Sequence, residues 1–244
     1  MSPKKLYEGK AKILYATEDP DILLTIYKDD ATAFNAQKKG QIAGKGIVNC
    51  QITAALYEWL ESQGIATHYI DSPEANQMRV KAVTIVPVEV VVRNIAAGSL
   101  CRQTGLPEGK VLDTPLVEYY YKSDELGDPL LTRDRIFMLD LVSSQRLAEI
   151  EQNAREINRH LQSFFDKCDI TLVDFKLEFG IDSNQNLLLA DEISPDTCRL
   201  WDKNETDARA KVMDKDRFRK DLGRVESAYQ QVQQRVLAQL NKSS

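Results

Sequence analysis

Histidine is almost missing from this chain. His68 and His160 are the only two, too few and too far apart for a histidine-based zinc site. Cysteine is sparse: Cys50, Cys101, Cys168 and Cys198 are scattered and form no Cys-x-x-Cys pair. With no signal peptide at the N-terminus, they read as free thiols in a reducing compartment, and the expected location is the cytoplasm. No apolar run approaches the roughly 18 residues that span a bilayer. The strongest candidate, 82–92, is short and interrupted by Pro87 and Glu89. Basic residues are not in excess either. With 32 Lys and Arg against 37 Asp and Glu, the net charge of −5 lacks the footprint of a nucleic-acid binder. Any positively charged site must be local.

What is present is an ordinary globular composition, 43% hydrophobic and 28% charged over 244 residues, enough for one large or two modest domains. Residues 5–26 alternate short apolar stretches with turn residues and read as antiparallel strands. The polar stretch 28–46 carries no evident core element. Residues 47–63 read as a helix with Ile47, Ile52, Ala55, Leu56, Trp59 and Leu60 on one face and Gly64 as its stop. Strands are expected over 67–70, 79–86 and 88–93. The Val90-Val91-Val92 run reads as buried on both faces, and Pro87 belongs at an edge, a bend or a crossing between lobes. Residues 143–169 form the clearest helix, capped by Ser143 or Ser144, with Leu147, Ile150, Ala154, Ile157, Leu161 and Phe164 at spacings of three and four. Strands 170–180 and 187–192 flank a turn and make a hairpin, and 225–240 is a last amphipathic helix. The pattern is α+β, without regular βαβ alternation.

The densest chemistry lies in Leu172-Val173-Asp174-Phe175-Lys176-Leu177-Glu178-Phe179-Gly180. As a strand, it puts Val173, Phe175, Leu177 and Phe179 on one face and Asp174, Lys176 and Glu178 on the other, with same-face neighbours roughly 7 Å apart. If the hairpin register brings Asp191 to the Glu178 face, two hard oxygen ligands with open positions suit Mg²⁺. A slip of one residue would turn Asp191 away. The same pattern also describes a solvated sheet face with a cross-strand salt bridge.

Three further stretches carry charge in useful places. In Tyr7-Glu8-Gly9-Lys10-Ala11-Lys12, a glycine between strands permits close approach to a phosphate and lysines supply charge, although such a glycine also serves simply as a turn. It is neither a Walker P-loop nor a Rossmann signature. In Val92-Arg93-Asn94-Ile95-Ala96-Ala97-Gly98-Ser99, an apolar strand delivers an arginine suited to bidentate capture of phosphate or carboxylate, or merely a surface arginine before a helix cap. Residues 191–202 are rich in acids and hold Arg199, which can return to the same site. Cys198 has no histidine nearby in sequence and reads as a bystander thiol.

Residues 85–99, 172–180 and 191–202 closely resemble the motifs of the SAICAR synthetase family of purine biosynthesis. The Tyr7–Lys12 segment, Asp30-Ala31-Thr32-Ala33 with Lys45-Gly46, and 213–219 are similar as well. The likeness covers essentially the whole chain, at the length of the single-function bacterial enzyme. It implies two lobes of antiparallel sheets with flanking helices, residues 1–86 and 87–244, and an ATP site in the cleft between them. It also implies an ATP-dependent ligase that joins L-aspartate to the carboxylate of carboxyaminoimidazole ribonucleotide (CAIR) through an acyl phosphate.

By that resemblance, Lys10, Ala11 and Lys12 hold ATP phosphates, and Val86 and Glu89 belong to the adenine-binding connection. Glu178 and Asp191 ligate Mg²⁺. Arg93, Ser99 and Arg199 bind the ribonucleotide, and Asp174 and Lys176 serve the reacting groups as catalytic residues. Lys122 and the 211–217 region, chiefly Arg217, are candidates for aspartate. The expected partners are these small molecules, with no nucleic acid and no membrane, and a homo-oligomer, a dimer, is expected. The family shares a distant likeness to protein kinases and ATP-grasp enzymes, but the kinase His-Arg-Asp and Asp-Phe-Gly signatures are absent. A kinase-like phosphotransferase and a non-catalytic nucleotide sensor are the competing readings. The second anion site formed by Arg93, Ser99 and Arg199 favours the ligase.

Overall fold

Residues 4–33 and 37–243 are described by the structure, a computed structural model. The chain opens with the antiparallel strands β1 (Lys5–Glu8), β2 (Lys12–Ala16) and β3 (Ile22–Tyr27). The stretch expected to lack a core element instead pairs as a hairpin, β4 (Asp30–Ala33) with β5 (Lys38–Gln41). Its inward positions are small: Ala31 and Ala33 are buried, as is Ile42 just beyond. Residues 34–36 of that stretch lie outside the described residues.

Helix α1 (Lys45–Ser62) follows. It packs on the first sheet and, on another side, against the C-terminal helix, so it is buried on more than one face. Ile47, expected on its apolar face, is instead exposed, whereas Lys45 and Asn49 are buried. Strands β6 (Tyr69–Glu74) and β7 (Gln77–Lys81) complete the first sheet in the order β1-β2-β3-β7-β6.

The expected strand 79–86 divides. Its first part ends with β7, and after Ala82 and Val83 the chain enters a second sheet as β8 (Thr84–Ile85). Pro87 forms the bend between β8 and β9 (Val88–Ile95), and its carbonyl accepts the Lys122 N–H at 3.1 Å. Then come α2 (Ser99–Thr104), β10 (Val111–Tyr121), β11 (Leu130–Leu131), α3 (Arg133–Met138) and α4 (Ser144–Lys167). The Ser143 hydroxyl caps α4, accepting the Arg146 N–H at 3.2 Å.

Strands β12 (Ile170–Ile181), β13 (Leu187–Ala190) and β14 (Cys198–Asp202) precede α5 (Asp216–Arg219) and α6 (Val225–Ser243). The second sheet runs β11-β10-β9-β12-β13, with β8 and β14 also paired to β12. Its strand-to-strand pairings are antiparallel, and an isolated parallel bridge joins Leu189 of β13 to Thr67. The architecture is α+β.

β9 alternates rather than being buried on both faces by apolar packing. Val88, Val90 and Val92 enter the core, while Glu89, Val91 and Arg93 line a cleft. The two-faced reading fits a strand in a parallel sheet covered by helices, but an antiparallel strand covered on one side keeps period two. Helix α4 packs on β9, β10 and β12. Burying Leu147, Ile150, Ile157 and Leu161 there stabilises the layer by roughly 1.5–3 kcal/mol per side chain. Between the first sheet and the uncovered face of the second lies the cleft.

Candidate active site

The cleft encloses about 1100 Å³. Its upper wall comes from the β1–β2 turn, including Gly9, Lys10, Ala11 and Lys12, and from the apolar side chains of Leu14, Leu23, Met78 and Val80. Val83 and Ile85 line it at the crossing, and its floor is β9 and β12 with the loop that follows β13.

Register builds the floor. Asp174 of β12 stands opposite Arg93 of β9 on one side and opposite Arg199 of β14 on the other. Directly opposed residues share a sheet face, so one carboxylate is flanked by two guanidiniums. Arg93 Nη1 donates to Asp174 at 2.8 Å, and Arg199 Nη1 reaches both Asp174 oxygens at 2.8 and 3.0 Å. Arg93 also donates to Glu118 Oε2 at 2.6 Å, to Ser99 Oγ at 2.9 Å and to the Tyr120 hydroxyl at 3.1 Å. As acceptor there, the Ser99 hydroxyl keeps its own proton to donate. Gly98, at φ 58° and ψ −124°, makes room for Arg199: a Cβ would lie 2.7 Å from the guanidinium carbon. Burial works against the Arg199 charge, but Asp174 and Asp216 outweigh it and raise its pKa further.

The other end of the floor gathers ammoniums and carboxylates. Lys176 Nζ lies 2.6 Å from Glu178, 2.9 Å from Glu89 and 3.7 Å from Asp191. Lys122 Nζ is 2.8 Å from Glu178. Lys12 bonds Asp191 and sits 3.0 Å from Glu192. Burial disfavours the Lys12 and Lys176 charges, yet the surrounding carboxylates outweigh it and hold both well above the ordinary lysine range. Burial likewise opposes the Asp191 charge, and Lys12 with Lys176 drives that carboxyl far below its usual range. Glu89 is pushed upward by burial, with Glu178 adding to the effect against the pull of Lys176.

Asp191 does not reach this site by register alone. Ala190 stands opposite Glu178, and one more extended residue would face away from the cleft. The expected strand 187–192 instead ends at Ala190, and Asp191 takes a left-handed backbone at φ 61°. That turn brings its carboxylate beside Lys12 and Lys176. Asp is one of the few residues that enters this region at modest cost. Glu178 and Asp191 thus share one ammonium, and both present hard oxygen donors. No group of three or more His, Cys, Asp or Glu in metal-holding array occurs among the described residues. Mg²⁺ held by one or two carboxylates together with phosphate oxygens needs none, so the donor set fits that ion.

Two expected residues lie elsewhere. Val86 is buried, donating its N–H to the Phe179 carbonyl at 2.9 Å, while its neighbours Ile85 and Glu89 line the cleft. Arg217 is turned away from the cleft, its guanidinium spent on the carbonyls of Val212 at 2.8 Å and Gly223 at 2.7 Å. Its neighbours in the same motif, Lys215 and Arg219, line the cleft in its place. Arg219 pairs with Asp216 at 2.7 Å, and Asp216 receives Arg199 Nε at 3.1 Å. Sequence reasoning also missed Glu118, Tyr120 and Asp196. Asp196 is a buried carboxylate bonded to Lys45 at 2.9 Å and to the Tyr229 hydroxyl at 2.7 Å. The aromatic, β-branched run 117–121 was the available signal for the first two.

Two buried groups near the cleft act oppositely with pH. Burial lowers the His68 pKa from 6.5 to about 3, so its contribution to stability is complete above 6.5 and drains away as pH falls toward 3. Burial, with Asp216 adding, raises Asp214 from 3.8 to about 7; that contribution is complete below 3.8 and lost as pH rises through 7. Between these limits the two offset. In His68→Asn one opposing slope is removed, while Glu89, also raised, adds to Asp214 and His160, lowered, opposes it. The urea-midpoint profile is therefore expected to shift in favour of low pH between about 6.5 and about 4.5 relative to the unaltered protein. A variant with the unaltered protein's pH profile would remove His68 from this balance.

A family model described as SAICAR synthetase matches residues 5–236. A phosphoribosylaminoimidazole-succinocarboxamide synthase of Synechocystis sp. is 66% identical over 241 residues, covering 99% of this chain and 91% of that one. The protein of that name from Nostoc punctiforme is 66% identical over 233 residues, covering 96% and 95%. Among solved structures, the Ehrlichia chaffeensis phosphoribosylaminoimidazole-succinocarboxamide synthase superimposes with a TM-score of 0.92 at 42% identity, covering 96% and 99%. A SAICAR synthetase in complex with ADP gives 0.90 at 44% identity, covering 94% and 96%.

Proposed function

The chain belongs to the SAICAR synthetase family, and from that membership we propose a role for each end of its cleft. The enzyme is an ATP-dependent ligase that joins L-aspartate to the carboxylate of CAIR through an acyl phosphate, giving SAICAR, ADP and phosphate. A carboxylate does not react with an amine unaided. The CAIR carboxylate oxygen takes the γ-phosphoryl group and ADP leaves. The aspartate amine then attacks the acyl carbon, loses a proton, and expels phosphate. Both steps bring anions together, so positioning and charge neutralisation are the main tasks of the protein.

The observation that carries the assignment is that one strand serves two clusters of cationic side chains. β12 sets Asp174 between Arg93 and Arg199, and it sets Glu178 in the cluster of Lys176 and Lys122. At the first end, Arg93, Ser99 and Arg199 take the ribonucleotide phosphate. At the second, Lys10, Ala11 and Lys12 cover the ATP phosphates, and Leu14, Leu23, Met78, Val80 and Ile85 enclose adenine beside Glu89. Asp174 and Lys176 lie between and meet the reacting groups. Lys122, with Lys215 and Arg219 in place of Arg217, supplies the cations for aspartate and the remaining substrate charge. Glu178 and Asp191 would hold Mg²⁺, which when bound would supply charge neutralisation for the transferring phosphoryl group.

A phosphorylated co-substrate calls for the second cluster of Arg93, Ser99 and Arg199, and a sensor would need neither Asp174 nor Lys176. ADP and phosphate are expected to form only when CAIR and aspartate are both present, in step with amide product. Equal ATP turnover without CAIR would overturn the ligase assignment for this cleft. No helix among the described residues is long and apolar enough to cross a membrane. We read the protein as a cytoplasmic homodimer, in keeping with its four free cysteines and the exposed apolar side chains Leu126, Leu130, Phe137, Met138 and Leu139. Sedimentation at the mass of one chain would refute the dimer.

A further inference from the structure

Asp191 needs its left-handed backbone to enter the cleft, and nothing in its own chemistry forces that conformation. A non-glycine residue pays roughly 1 kcal/mol or more to hold it, so the surroundings must favour it. The φ of Asp191 is the rotation that follows the Ala190–Asp191 peptide, so whatever fixes the Ala190 carbonyl fixes the plane from which the turn departs. The Tyr57 hydroxyl donates to that carbonyl at 2.6 Å. Tyr57 lies in the middle of α1, is fully buried, and does not line the cleft.

The preceding residues are fixed as well. The Leu189 carbonyl accepts the His68 N–H at 2.9 Å, and the Leu189 N–H donates to the Ala66 carbonyl at 3.0 Å. The His68 ring meets the Tyr57 ring edge-on, 5.8 Å between centroids. The end of β13 is therefore held on a scaffold built from α1 and the strand entry at 66–68. Ala190 is also paired with Glu178 in the β12 ladder, and among the described residues the Tyr57 hydroxyl is the side-chain group that bonds its carbonyl on the last peptide before the turn.

We propose that the Tyr57 hydroxyl is a positioning group that sets the Ala190–Asp191 peptide and thereby aims the Asp191 carboxylate at the nucleotide end of the cleft. The proposal rests on the reading of Asp191 as a Mg²⁺ ligand. Tyr57 touches no substrate and acts through the backbone of its neighbour. Groups that orient a metal ligand without touching the metal are commonly worth tenfold to a hundredfold in metal affinity.

The test uses Tyr57→Phe, which deletes one oxygen and leaves the ring in the core. ADP binding is measured by calorimetry with and without Mg²⁺, alongside thermal unfolding. The Mg²⁺-dependent part of ADP affinity is expected to fall about tenfold, with metal-free ADP affinity unchanged. Thr53→Val is the structural control. It removes a fully buried hydroxyl from the same helix, one that donates to the Ile193 carbonyl at 3.2 Å and the Asn49 carbonyl at 2.7 Å. It is expected to lower the unfolding temperature by a similar amount and to leave Mg²⁺ dependence alone. In an Asp191→Asn background, Tyr57→Phe should have no further effect on Mg²⁺-dependent binding, because the carboxylate it positions is gone.

Equal losses in both backgrounds, or a Thr53→Val variant that matches Tyr57→Phe in every readout, overturn the proposal. If Asp191→Asn itself leaves Mg²⁺-dependent ADP binding intact, the metal reading of Asp191 is what fails. If Asp191→Asn weakens it and Tyr57→Phe does not, the positioning role alone fails.

Discussion

With Asp191 changed to Asn, turnover is expected to fall about a thousandfold while the protein stays folded. Asn is the substitution of choice because it tolerates the left-handed backbone that Asp191 adopts at φ 61°. The change therefore removes a charge and little else. Lys12 keeps Glu192 at 3.0 Å, and Lys176 keeps Glu178 at 2.6 Å and Glu89 at 2.9 Å, so neither ammonium is left without a carboxylate. What disappears is one of the two carboxylates around Lys176 assigned to Mg²⁺. A Mg²⁺ titration at saturating ATP, CAIR and aspartate measures it. The variant should need far more metal for half-maximal rate, and a midpoint equal to that of the unaltered protein would take Asp191 out of the metal site. Glu178→Gln should behave alike in rate but cost more stability, because Glu178 is buried against both Lys176 and Lys122.

The legible part of this site was the part governed by period two. Asp174, Lys176 and Glu178 could be assigned to one face because alternation in a strand needs no tertiary knowledge. The position of Asp191 could not be read that way. Hairpin register predicts that it faces away from Glu178, and a single φ reversal returns it. Arg93 and Arg199 were grouped through the family resemblance, but their flanking of Asp174 was not legible: they meet there because β9 and β14 both flank β12, and their order in the chain does not disclose which strands become neighbours. Helix α4 was read almost to the residue because its apolar stripe faces one sheet. Helix α1 misled because it contacts more than one layer, so its buried set includes Lys45 and Asn49 and leaves out Ile47. Arg217 was the natural choice in its motif for an anion, since nothing in sequence distinguishes it from Arg219 two residues on. On a helical turn those two point differently, and local carbonyls claimed the first.

Replacing Lys176 by Met should move two measurements in opposite directions. Lys176 is the ammonium that touches Glu89, Glu178 and Asp191 together, at 2.9, 2.6 and 3.7 Å. Despite burial, these carboxylates keep its pKa well above the lysine norm, so it stays charged at any pH at which the enzyme works. In the proposed reaction its fixed charge would neutralise phosphate charge during transfer, and it also occupies oxygens that Mg²⁺ would use. Methionine keeps the unbranched shape and removes the charge. The rate at saturating Mg²⁺ should drop by roughly a hundredfold to a thousandfold, the usual cost of losing one preorganised charge-stabilising group. Mg²⁺ should bind more tightly, because a competing ammonium has gone, while Lys12 still contacts Asp191 and Lys122 still contacts Glu178. Glu89, already raised by burial, should take up a proton more readily, which limits the loss of stability. Lys176→Arg is not expected to restore the rate, since a planar fork cannot hold the same three partners as a compact ammonium. Weaker Mg²⁺ binding in Lys176→Met would mean that the lysine supports the metal rather than competing with it. In that case Glu178 and Asp191 would be oriented through Lys176, and the assignment of the catalytic cation would pass to Lys12 or Lys122.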